Sequence, residues 1–107
     1  MGYYLIQLAY TAEAAKAMVK NPQNREATAR AAMESLGGKA HSFFFAFGEY
    51  DAIIIAELPG NAAAAAGALA TTSGGAISKF HTTPLLTGAE AVEAMKLAQK
   101  VVYAPPQ

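Results

Sequence analysis

The chain has 107 residues, 53% of them hydrophobic, with 8 Lys and Arg against 8 Asp and Glu and no cysteine. That length allows one domain, and the hydrophobic fraction excludes a disordered chain. Zero net charge argues against electrostatic capture of nucleic acid or an anionic membrane, and the missing thiols exclude disulfides and thiolate metal sites.

Tyr3 to Tyr10, apolar except for Gln7, predicts a strand. Thr11 is an N-cap and Glu13 suits a first turn, so a helix follows over Ala12 to Lys20. Asn21 then caps and Pro22 takes the first position of a second helical stretch reaching Leu36. Its apolar stripe is Ala29, Ala32, Met33 and Leu36, and Gly37-Gly38 ends it. Lys39 to Phe47 alternates as a strand, with His41, Phe43, Phe45 and Phe47 on one face and Ala40, Ser42, Phe44 and Ala46 on the other. Gly48-Glu49-Tyr50 turns the chain, Gly48 supplying a positive φ. Asp51 to Leu58 completes a hairpin. Pro59-Gly60-Asn61 leads into an alanine-rich helix over Ala62 to Thr72, weakened by Gly67. Ala76 to Thr83 forms a fourth strand that Pro84 breaks. Thr87 and Glu90 make a capping box for a last helix, about 88–103, with Ala91, Met95, Ala98 and Val102 on one side.

Strand, helix, hairpin, helix, strand is the ferredoxin-like order. The fold class is therefore α+β: a βαββαβ unit with a four-stranded antiparallel sheet plus an added C-terminal helix, in a single domain over 1–107 with its core in 3–83. Right-handed crossovers put both main helices on one face of the sheet. The other face should then be polar. Instead Tyr3 to Leu8, Phe43 to Phe45 and Ile53 to Ile55 are apolar on both sides. An apolar patch of this size marks a partner surface, and the simplest partner is a second copy. The last helix is the alternative cover. No run reaches the ~20 apolar residues of a membrane span. The N-terminus lacks the basic region of a signal peptide, so the expected location is cytoplasmic.

Gly48-Glu49-Tyr50-Asp51 lies between two apolar strands, about ten residues after Leu36-Gly37-Gly38-Lys39. With Tyr3 to Ile6, Ala31 to Gly38 and Ser73 to Thr83, this pattern resembles the GYD-domain family over roughly residues 3–83. The resemblance implies a ferredoxin-like domain of the dimeric α/β-barrel type, and hence a homodimer or higher homo-oligomer. It carries no reaction. By it, the alanine-rich helix and the helix after Thr87 look peculiar to this chain or its subgroup. Proteins of that barrel type often act on aromatic or polyketide-like compounds by proton transfer or cofactor-free oxygenation.

The candidate catalytic residues are His41, Tyr50 and Asp51. Asp51 can serve as a general base and Tyr50 as a hydrogen-bond donor at a pocket mouth; both also suit a plain turn. If Phe47 pairs with Asp51, His41 falls opposite Glu57 and forms a carboxylate–imidazole pair. A one-residue change of register sends Glu57 to the other face. Tyr3, Gln7 and Phe45 are candidate ligand-binding residues, sparse polar and aromatic groups on an apolar sheet. A metal shared by His41 and His81 is opposed by the fold, which puts their strands on opposite edges, on the order of 14 Å apart. The glycine pairs lack nucleotide-loop spacing, and no basic excess supports an RNA-binding sheet. The expectation is a homo-oligomer binding a small apolar or aromatic molecule, without cofactor, with proton-transfer or cofactor-free oxygenase-type chemistry as the enzymatic version. A non-enzymatic scaffold or regulatory module that works by self-assembly is the alternative.

Overall fold

Every second residue of the first strand is buried, which sets the frame for the rest. In the computed structural model, which describes residues 1–107, strand β1 (Gly2–Tyr10) buries Tyr4, Ile6 and Leu8 and leaves Tyr3, Leu5 and Gln7 half-exposed. Helix α1 (Ala12–Lys20) starts where the Thr11 hydroxyl accepts the Ala14 N–H at 3.2 Å. Helix α2 (Glu26–Ser35) starts later than Pro22 suggests. Asn21 donates its N–H to the Ala17 carbonyl and so closes α1 rather than opening α2. Asn24 takes over the capping, its Oδ1 accepting the Glu26 N–H at 2.9 Å.

Strands β2 (Lys39–Phe45) and β3 (Ala52–Leu58) form the hairpin, which is shorter in its β2 arm than the apolar run through Phe47. Helix α3 (Asn61–Ser73) leads to β4 (Ile77–Leu85), and helix α4 (Gly88–Ala98) ends the ordered elements. Pro84 does not break β4. The strand lies on an edge and carries a ladder on one side only, where a residue without an N–H is tolerated. Gly48 has no positive φ; only Gly37 and Gly75 do, at 84° and 79°. The Gly48 turn spans six residues between the strands, so no left-handed residue is needed there.

The four strands pair antiparallel in the order β2-β3-β1-β4, the ferredoxin-like arrangement. The helix-covered side holds Tyr4, Ile6, Met33, Ala40, Ile54, Ala56, Leu58 and Ala64. Alanines on both layers allow close approach. Gly38 permits the closest: a side chain there would collide with the Glu57 carbonyl. Tyr4 donates to Asn61 Oδ1 at 2.7 Å and so ties β1 to the start of α3. Only 11 of the 107 residues are buried, none of them polar, a small core for this length.

No helix covers the opposite, open face of the sheet. The strand registers arrange it in rows. Lys39, Glu57, Tyr3 and Leu85 make the first; Ser42, Ile55, Leu5 and Thr83 the second; Phe44, Ile53, Gln7 and His81 the third. Helix α4 does not fold back over these rows. It projects from the domain with Val92, Met95 and Leu97 between 49% and 65% exposed. The radius of gyration is 17.1 Å, against roughly 13 Å for a compact chain of this length.

Candidate functional site

One extra residue in β2 shapes the first row of the open face. Lys39 pairs with Glu57 and Ala40 with Ala56; the register then shifts, so that Ser42 pairs with Ile55. His41 is the bulged residue between them. The bulge puts the imidazole on the open face, where its Nε2–H donates to Glu57 Oε1 at 3.1 Å and its ring lies 5.6 Å from the Tyr3 ring. The carboxylate accepts only, so this contact needs the proton on Nε2; in the neutral imidazole Nδ1 then keeps its lone pair. About a third of each side chain is exposed.

The same bulge corrects the alternation expected along β2. His41 does not share a face with Phe43 and Phe45. Phe43 pairs with Ile54 and packs against the core, and Phe45 pairs with Ala52 on the helix side. The pairing of Phe47 with Asp51 also fails, since it is Ala46 that donates its N–H to the Asp51 carbonyl, at 2.6 Å. That one-residue shift would have separated His41 from Glu57, and the bulge restores the contact.

Asp51 clamps the hairpin end to β1. Its N–H donates to the Leu8 carbonyl at 2.8 Å, and its Oδ2 accepts the Tyr10 N–H at 2.9 Å. The two bonds extend the β1–β3 ladder one step beyond its last regular pair, Leu8 with Ala52. Asp51 therefore satisfies a strand neighbour rather than the turn N–H groups. Phe45 stacks on Tyr10 with ring centroids 6.0 Å apart, and both line a cleft of about 390 Å³ with Met18, Val19 and Asp51 on the helix side.

Tyr50 takes the opposite side. With Gln7, Phe47 and Ile53 it lines a shallower recess of about 330 Å³ at the hairpin end of the open face. Lys79 Nζ lies 5.4 Å from the Tyr50 ring centroid and 4.0 Å from the Glu49 carboxylate. His81 stands beside Gln7 across the β1–β4 ladder, its Nδ1 3.4 Å from the Thr83 hydroxyl.

The candidate residues thus fall into three places. Tyr3 and His41 meet at the first row, and Gln7 and Tyr50 meet at the hairpin recess. Asp51 and Phe45 meet in the helix-side cleft. His41 and Asp51 sit at opposite ends of the hairpin, roughly 13 Å apart along the strands, and cannot act on one atom within a single copy. Sequence reasoning missed Lys79 beside Tyr50 and His81 beside Gln7. Those contacts cross from β4 to β1 and the hairpin, and no local pattern signals them.

This sheet order, with helices on one face and polar groups spaced along an apolar opposite face, defines a ferredoxin-like α+β domain. The chain belongs to the GYD domain family, whose model matches residues 4–95. The match extends past the 3–83 over which the motifs resemble the family, taking in α3 and α4 as far as residue 95. The motifs that carry the resemblance lie in strands, turns and the end of α2, and the alanine-rich α3 offers no comparable landmark. No curated protein and no solved structure matches the chain. No helix is long and apolar enough to cross a membrane.

Proposed function

We propose that the protein is a homo-oligomer whose open sheet face, covered by a second copy, binds a small apolar or aromatic molecule. One observation supports this reading above others: no helix of the chain covers the face, on which Leu5, Ile53, Ile55 and Phe44 alternate with Gln7, His81, Thr83 and the His41–Glu57 pair. Binding sites combine an apolar surface with a few placed polar groups. In the enzymatic form of the reading His41 is the base. Glu57 holds its Nε2–H, and Nδ1 takes a proton from an acidic carbon or phenol lying against Tyr3, Leu5 and Ile55. Abstracting that proton is the first step of cofactor-free oxygenation as well as of simple isomerisation. Gln7 and Tyr50 serve as hydrogen-bonding groups at the other end. Asp51 and Phe45 have structural work in the helix-side cleft and are not assigned to this ligand.

The test is a thermal-shift screen of small aromatic compounds with an acidic proton, followed by turnover assays on the compounds that bind. His41→Ala and Glu57→Gln should lower turnover at least tenfold while Phe44→Asp or Ile55→Lys abolishes binding. Binding and turnover unchanged in all four variants would overturn the assignment. Binding lost in the face variants with no turnover in any protein favours the non-enzymatic, self-assembling module instead.

A further inference from the structure

Helix α4 is built to persist yet touches little of its own domain. Thr87 and Glu90 close a reciprocal capping box, with the Thr87 hydroxyl accepting the Glu90 N–H at 3.2 Å and Glu90 Oε1 accepting the Thr87 N–H at 3.0 Å. A helix of 11 residues is nonetheless marginal in water without tertiary packing. Its side chains are sorted around the axis. Ala91, Val92, Ala94, Met95 and Ala98 make one apolar side, and Glu90, Glu93 and Lys96 fall on the other together with one apolar residue, Leu97. The apolar side is left largely uncovered within the chain: Ala91 is half-buried, but Val92 is 49% and Met95 65% exposed. We propose that α4 is an exchange arm whose Ala91–Met95–Ala98 side packs on a second copy of this chain, each copy giving one arm and receiving one.

Area argues for a second copy. Four strands ~4.8 Å apart and about seven residues long give the open face a flat footprint of roughly 450 Å², against ~800 Å² per partner in a stable complex. An arm ~16 Å long and ~10 Å wide adds on the order of 160 Å², and two-fold symmetry adds as much again where the partner's arm lands. The two surfaces are also continuous, since β4 borders the open face and only Leu86 and Thr87 separate it from α4. Zero net charge removes the repulsion between copies.

The inference rests on the reading that a second copy covers the open face, and the experiment separates the two. Light scattering across a dilution series is run on the full chain, on Met95→Glu, on Val92→Lys and on the face variant Ile55→Lys, with circular dichroism to verify folding. Hydrogen exchange of residues 88–98 is followed on the full chain at high and low concentration. An oligomer whose dissociation constant rises at least tenfold in both arm variants, with arm amides that lose protection on dilution, bears the proposal out. An oligomer unchanged by both arm variants overturns the arm and leaves the covered face standing. An oligomer broken by the arm variants but not by Ile55→Lys keeps the arm and removes the covered face. A monomer at all concentrations overturns both.

Discussion

His41 reaches Glu57 only because β2 carries one residue too many between Ala40 and Ser42 for a regular ladder; the Cα partner of Glu57 is Lys39. A bulge re-aims a side chain, and here it moves an imidazole from the side of Phe43 to the side of Tyr3. The contact therefore costs β2 a ladder step. A partly exposed imidazole–carboxylate hydrogen bond recovers little of that, on the order of 1 kcal/mol. Such a pair is better explained by what it does on the open face than by what it adds to stability. A double-mutant cycle of His41→Ala and Glu57→Gln, read by urea denaturation, should give a coupling of no more than about 1 kcal/mol. A coupling several times larger would make the pair a structural element and weaken the case for His41 as a base.

Asp51 should behave in the opposite way. Its carboxylate satisfies the Tyr10 N–H, and a charge-assisted bond to a strand N–H is worth about 1.5–3 kcal/mol. Asp51→Ala should destabilise the fold by that order, while Asp51→Asn, which keeps an acceptor oxygen, should lose about half as much. Urea midpoints at constant slope measure both.

Two glycines separate backbone need from family pattern. Gly38 has the Glu57 carbonyl where a side chain would go, so Gly38→Ala should cost at least 2 kcal/mol, an order expected for forced overpacking. Gly48 has open space around it and no left-handed φ, so Gly48→Ala should stay within about 0.5 kcal/mol of the parent. If Gly48→Ala leaves stability intact yet weakens ligand binding at the recess beside Tyr50, the glycine serves that surface rather than the turn.

What the residues reveal by themselves is set by distance along the chain. The Thr11 cap, the Gly37-Gly38 stop and the Thr87–Glu90 box are each formed by neighbours within a few positions, and all three stand in the structure. Element order and the uncovered sheet face follow from periodicity and composition. The bulge at His41 is different: nothing in Lys39 to Phe45 marks which residue a ladder with β3 will leave unpaired. The role of Asp51 depends on Tyr10, 41 positions away. Tyr50 and Lys79 meet only once β4 lies beside β1. The direction of α4 is likewise invisible locally, because its stripe states that it packs on something without stating which chain supplies the surface.

The capping box gives the arm a pH dependence with a definite sign. The backbone N–H of Thr87, and then its side chain, hydrogen-bond the ionised Glu90 and hold its pKa below the ordinary carboxyl value of 4.5. A carboxyl depressed in the folded state contributes stability above its unfolded pKa and loses it as pH falls through the folded value. The box should therefore be intact at neutral pH and weaken as pH drops below about 4.5, fraying α4 from its N-terminus. Glu90→Gln can still accept the Thr87 N–H but has no charge to lose, so its arm should be less sensitive over the same range. Amide exchange of residues 88–91 between pH 6 and pH 3 reads the effect directly. If α4 joins copies, the dissociation constant should rise with the same pH profile in the parent and stay flatter in Glu90→Gln. Parallel profiles in the two proteins would place the acid sensitivity in other carboxylates and detach it from the arm.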